Sequence, residues 1–293
     1  MNQLSLERRA QIVRCLCEGN SVRATARLTG ASRTTVLSLL VDLGELCRTY
    51  QSHVIRNLAA GRVQCDEIWS FVGAKRRAVE SGASGEGDVW TWTAMDADSK
   101  LMICWLVGPR SPENCRYFIR DLRERLATRV QITTDGLGAY VSAVEGAFGW
   151  AGTDFAQLVK TYSTGTHGLT DNFTARRYSP GVVIGADKTW IMGDPDMDHV
   201  STSFVERQNL TMRMQMRRFT RLTNAFSKKV ENHAYAVDIH FMYYNFARPH
   251  ATLTKRHPQH YPQTPAMAAG ITDHVWTLEE ICGLMDPTRL LGV

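Results

Sequence analysis

The chain has 293 residues, 44% hydrophobic and 22% charged, proportions that exclude a wholly disordered or collagen-like protein. Its net charge of +5 is unevenly spread: residues 1–62 and 206–233 each carry +5, and the remainder carries −5. Two basic islands around an acidic middle suggest a polyanion partner, most often nucleic acid, although solvated helical faces would look the same.

Residues 4–47 read as helical, with turns at Gly19-Asn20 and Gly30. Leu6, Ile12, Val13 and Leu16 give a first helix; Ser21 caps a short second helix over Val22–Thr29; Ser32 caps a third, in which Val36, Leu37, Leu40 and Val41 form a buried stripe. Helix, short helix, glycine turn, longer helix is the outline of a helix-turn-helix. The first turn of its third helix carries Arg33, Thr34 and Thr35, polar groups able to reach bases or phosphates in a major groove. Three-helix packing alone would also explain the glycine and the stripe. Residues 48–61 read as a helical connector.

From residue 62 the texture changes. Val63–Val72, Val89–Met95 and Leu101–Val107 are β-prone, the last two joined by a turn at Asp96-Ala97-Asp98-Ser99. A helix over Glu113–Ala127 follows Ser111 and Pro112, then a strand over Val130–Thr134 ending at Asp135-Gly136, a helix over Leu137–Ala147 and a strand over Phe155–Thr161. The order β-β-β-α-β-α-β predicts an α/β fold, a mixed sheet with helices on its faces. Residues 162–200 read as a loop insertion with one short hairpin around Val182–Met192. Residues 203–247 read as helical, with a break near Thr223-Asn224. Pro249, Pro258, Pro262 and Pro265 predict an extended tail with a short helix at Leu278–Met285.

The most apolar stretch, Leu101–Val107, is far shorter than the ~20 residues of a membrane span. The first residues show no signal-peptide pattern. The seven cysteines form no CxxC pair, which predicts reduced thiols in a cytoplasmic protein and no zinc cage.

Three acids draw attention: Asp66 in the first core strand, Asp135 where the fourth strand leaves the sheet, and Glu206 in the first turn of the later basic helix. A charged carboxylate in a core strand is costly unless paired or bound to metal. Three at one sheet edge could hold two divalent ions, and oxygen donors suit magnesium or manganese. Asp66 and Glu67 point to opposite faces of their strand, and since both faces read as buried, alternation does not choose between them. A simple turn at Asp135-Gly136 and a helix-dipole contact at Glu206 remain alternatives.

The element order with its carboxylates resembles the RNase H-like core of DDE transposases. CDEIWSFVGAKRR, VWTWTAMDADSK, ITTDGLGAY and STSFVERQNLTMRMQMRRFTRLTNAFSKKVENH resemble transposases of small bacterial insertion sequences, the insertion-sequence-one group in particular. YNFARPH at 244–250 is similar to a segment near the C-terminus of many such enzymes. The resemblance implies Asp66, Asp135 and Glu206 as catalytic metal ligands, and it favours Asp66 over Glu67. It implies a basic residue seven positions after the glutamate, here Arg213, about 10.5 Å along the helix on the same face. Asn209 is a weaker candidate for that face, and Arg217 continues the basic series. It implies two Mg2+ or Mn2+ ions, double-stranded DNA as partner, both element ends and target, and a homo-oligomer assembled on DNA. The division expected is a helix-turn-helix domain and connector at 1–61, a catalytic domain at 62–250 with an insertion at 162–200, and a tail at 251–293.

Two features depart from the family. The 71 residues from Asp135 to Glu206 exceed the usual spacing, and the N-terminal zinc motif of some members is missing. The acids Asp194, Asp196 and Asp198 with His199 read as a solvated loop, with a secondary role for His199 near the site left open. A regulator that binds DNA without cutting it, and a nuclease that only hydrolyses, are the competing functions.

Overall fold

Each of the first three helices begins at a serine whose hydroxyl accepts from a backbone N–H of the first turn. Ser5 caps α1 (Leu6–Cys17), Ser21 caps α2 (Val22–Thr29) and Ser32 caps α3 (Arg33–Val54). Gly30 closes α2 at φ 68°, a left-handed conformation that only glycine adopts without strain. The computed structural model describes residues 4–73, 87–150, 152–162, 183–220 and 226–286. In it α3 runs unbroken to Val54, so the first half of the expected connector is a continuation of this helix. Its one glycine, Gly44, lies against Tyr235, where an added Cβ would sit 2.5 Å from the tyrosine Cβ.

Six strands form one mixed sheet. They are β1 (Arg62–Val72), β2 (Gly87–Asp96), β3 (Met102–Gly108), β4 (Gln131–Asp135), β5 (Asp154–Tyr162) and β6 (Val183–Met192), in the order β3-β2-β1-β4-β5-β6. The first three pair antiparallel, β4 is parallel to β1 and to β5, and β6 returns antiparallel along β5. This mixed α/β arrangement is compatible with an RNase H-like fold. Helices α4 (Pro112–Arg125) and α5 (Ala139–Phe148) cover one face, where Trp92 packs on Phe118 and Tyr140. Helices α6 (Ser203–Gln215) and α7 (Val230–Met242) cover the other, over Ile68, Met95 and Met102. Along β1, Val63 and Cys65 belong to the first cluster and Ile68 to the second, so both faces of this strand are buried.

Three expectations are corrected. Val183–Met192 is one long strand and not a short hairpin; it is almost wholly exposed, so no apolar alternation marks it, and its backbone is satisfied by β5. The 203–247 pattern is not one helix: α6 ends at Gln215, Met216 is extended, a 3-10 turn covers Arg217–Phe219, and α7 ends in a π-turn at Tyr243–Ala247. The break expected at Thr223-Asn224 and most of the 162–200 insertion lie outside the described residues. The proline-rich tail is not extended throughout: besides α10 (Leu278–Gly283), which lies where a short helix was expected, it holds α8 (Ala251–Arg256) and α9 (Pro265–Ala268). Pro265 opens α9 at its first position behind Thr264, where its missing N–H costs nothing.

Candidate functional site

The β1–β4 ladder pairs Arg62 with Gln131 through Gln64 with Thr133. Continuing that register sets Asp135, the last residue of β4, level with Asp66. Past this point the two strands are no longer paired, and carboxylates from both faces of β1 meet in the opening. Oxygens of Asp66, Glu67 and Asp135 all lie within 4.8 Å of one another, the one group of potential metal ligands among the described residues.

Each carboxylate is held differently. Asp66 Oδ2 accepts from Asn209 Nδ2 of α6 at 2.7 Å. Gln64, on the same face of β1, sets the height of α6, its Oε1 accepting from the N–H groups of Phe204 and Val205 at 2.8 and 3.1 Å. Asp135 Oδ1 accepts from the N–H of Leu137 at 3.1 Å, and Gln157 of β5 pins the same turn by donating to the carbonyls of Asp135 and Leu137. Glu67 is buried on the α4–α5 side, where Arg110 Nε donates to it at 2.7 Å and the Tyr140 hydroxyl at 3.0 Å. The same guanidinium lies 3.8 Å from Asp135 Oδ2.

Burial, then repulsion from Glu67 and Asp135, pushes the Asp66 carboxyl up to about 7. Glu67 is raised by burial and by Asp135, against the pull of Arg110 and Tyr140. Among the described residues one guanidinium, Arg110, faces this group of three carboxyl groups. Beside it Asn209 Oδ1 is buried with no donor among the described residues. A hard divalent cation, or a water on one, would meet both needs, and the all-oxygen donor set suits magnesium or manganese.

Glu206 stands apart from this group. Its charge reaches Asp66, but its Oε1 accepts from Lys160 of β5 and from Thr202 Oγ1 at 2.5 Å. Of the candidates for DNA contact, Arg33 and Thr34 are exposed on the first turn of α3, whereas Thr35 shares a 2.8 Å hydrogen bond with Ser32. Arg213 is half-buried in the last turn of α6, and Arg217 is exposed in the 3-10 turn beyond it. Asp196 caps a short turn, accepting from the N–H of Asp198 and pairing with His199 at 2.6 Å. Among the described residues, the group of potential metal ligands does not include this loop.

Arg110, Tyr140 and Lys160 were not legible as site residues. Tyr140 falls inside ITTDGLGAY, five residues after Asp135, and that proximity was its one signal. Arg110 reaches the site from the bend between β3 and α4 and Lys160 from β5, and neither carries a local signature.

No family model matches the chain. It is 26% identical over 170 residues to the insertion element iso-IS1n protein InsB of Shigella dysenteriae, a match covering 58% of this chain and 86% of that protein. The chain is distantly related to an insertion-element protein. No helix among the described residues is long and apolar enough to cross a membrane.

Proposed function

We propose that this protein is a DDE transposase that cuts DNA at the ends of an insertion sequence and joins the freed ends to target DNA. The observation that carries the reading is the meeting of Asp66 and Asp135 at the open end of the β1–β4 pair, with α6 laid across them. The relationship to an insertion-element protein supports it.

Asp66, Asp135 and Glu206 are the proposed holders of two Mg2+ or Mn2+ ions. When bound, such ions supply Lewis acidity to the scissile phosphate and to the attacking oxygen. The chain's own residues keep this arrangement in register. Asn209 fixes the orientation of Asp66, Gln157 fixes the turn that presents Asp135, and Arg110 and Tyr140 hold Glu67 back. Water then hydrolyses the phosphodiester at each element end, leaving a 3′-hydroxyl, which attacks a phosphodiester of the target in line. No covalent intermediate on the protein is required; its contribution is positioning and charge stabilisation. Residues 1–61 serve as the helix-turn-helix that recognises the ends, with Arg33, Thr34 and Thr35 at the groove. Residues 62–250 form the catalytic unit, where Arg213 and Arg217 meet the backbone, and residues 251–293 are a tail. Joining two ends calls for at least two copies on the DNA.

The pairing of Glu206 with Lys160, outside the carboxylate group, favours a second reading, a regulator that binds ends without cutting them. Incubation with element-end duplex, supercoiled plasmid and Mg2+ separates the readings. Joined products support the transposase, nicked ends alone a nuclease, and bound but uncut duplex the regulator.

A further inference from the structure

Strand β1 has a second polar site at its start, a few residues before the carboxylates. A cavity of about 230 Å³ opens between the start of β1, the turn from β2 to β3, the N-terminal end of α6 and the end of α8. At ~30 Å³ per water it has room for roughly eight waters, ample for a phosphodiester group. Three cations line it: Arg62, Lys100 and Arg256.

The three are not equivalent. Arg62 is paired with Asp98 at 2.5 Å. Arg256 is exposed and has no acidic partner among the described residues. Lys100 is 3% exposed and fixed from several sides. Its backbone is left-handed, at φ 63°. Its ammonium donates to the Ala97 carbonyl and lies 3.0 Å from the ring centre of Phe204. Its own carbonyl accepts from the Tyr244 hydroxyl at 3.0 Å. Burial and the nearby Arg256 lower the Lys100 ammonium to about 8, with Asp98 and Asp96 acting the other way. Asp198, also on the wall, is exposed. The Ser203 hydroxyl, which accepts from Ser201 at 2.9 Å, faces the same space.

The YNFARPH segment builds this wall. Asn245 brackets the backbone of Met102, accepting from its N–H and donating to its carbonyl, both at 3.0 Å. Tyr244 holds Lys100, and α8, which starts directly after His250, carries Arg256 to the rim. A buried lysine crowded by an arginine, held in a cavity too polar to be core, is an arrangement that an anion completes.

We propose that this cavity is a subsite for one backbone phosphate of DNA, held by Lys100 and Arg256. It rests on the reading of the protein as one that acts on DNA. Arg62 lies four residues before Asp66, so the subsite is about 13 Å along the strand from the carboxylates. A duplex reaching across β1 would contact both, with the phosphate at the basic site fixing which phosphodiester meets the acidic one.

The test uses the full chain and element-end duplex, with binding followed by fluorescence anisotropy over a range of salt. Arg256→Ala should weaken binding several-fold and reduce the slope of log affinity against log salt by about one unit. Lys255→Ala removes the same charge from the same short helix, but this residue does not line the cavity, so slope and affinity should stay near wild type. Equal effects at 255 and 256, or no effect at 256 while wild type binds duplex, would overturn the subsite and leave the DNA reading standing. Loss of inorganic phosphate binding in Arg256→Ala, seen by phosphorus NMR, with unchanged DNA affinity would also overturn it, since the cavity would then serve a small phosphate. A wild-type chain with no duplex affinity at low salt would remove the DNA reading and the subsite together.

Discussion

The middle and the start of β1 handle buried charge in opposite ways. In the middle, Asp66 and Glu67 face Asp135 across an opening between strands, and repulsion among carboxylates is only partly offset by Arg110 and Asn209. At the start, Lys100 and Arg256 line one cavity, with Asp98 committed to Arg62. Four residues of strand separate a place that asks for cations from one that asks for an anion. A buried charge without a partner is costly, and both places point to ligands of the opposite sign, divalent ions at one and phosphate at the other.

The comparison breaks most sharply at the acidic site. Asp66→Ala or Asp135→Ala should abolish cleavage and joining in a strand-transfer assay and leave end binding within a few-fold of wild type. Glu67→Ala should be much milder if Asp66 is the ligand. Comparable loss in all three would make Glu67 a full member of the set. Asn209→Ala comes next. It frees Asp66 without removing a carboxylate, and loss of such a supporting hydrogen bond typically costs 10–100-fold in metal affinity or activity. Unchanged Mn2+ affinity would show that Asn209 serves packing alone.

Recognition by α3 should be separable from both sites. If Arg33 reads a base, Arg33→Ala should cost about 1–3 kcal/mol at the element end and little on random duplex. Equal losses on both DNAs would reduce its role to a phosphate contact.

The last effect is on stability and not on DNA, and concerns a buried carboxylate away from both sites. Asp238 of α7 accepts from Trp105 Nε1 at 2.7 Å, yet burial pushes it up to about 7. Its folded value lies above the unfolded one, so folding takes up a proton between about pH 4 and 7. Stability should therefore fall as pH rises through that window, by at most about 1.4 kcal/mol per unit. Asp238→Asn should flatten this slope in chemical denaturation. An unchanged slope would mean that other groups set it.

Much of this was legible in the sequence because it is local. Serine caps, the glycine at the end of α2 and the run of three strands are written within a few residues of where they act. Asp135 was readable because it ends a strand at a glycine. What escaped depends on register and distance. Arg110 reaches Glu67 from 43 residues away and Lys160 reaches Glu206 from 46, and neither has a neighbour that marks it. Strand β6 escaped because an exposed edge carries no alternation, and α9 escaped because proline at a first turn reads like proline in a coil, whereas α10 lies where a short helix was expected. Asp66 against Glu67 could not be chosen by alternation, since both faces of β1 are buried.

The most direct test of the central claim is Mn2+ uptake by the full chain with element-end duplex, followed by electron paramagnetic resonance. The account predicts that wild type binds up to two ions and that Asp66→Ala and Asp135→Ala each lose most of that binding while still holding the duplex. Wild-type uptake retained in both variants would contradict it, because the opening between β1 and β4 would then not be where metal meets DNA.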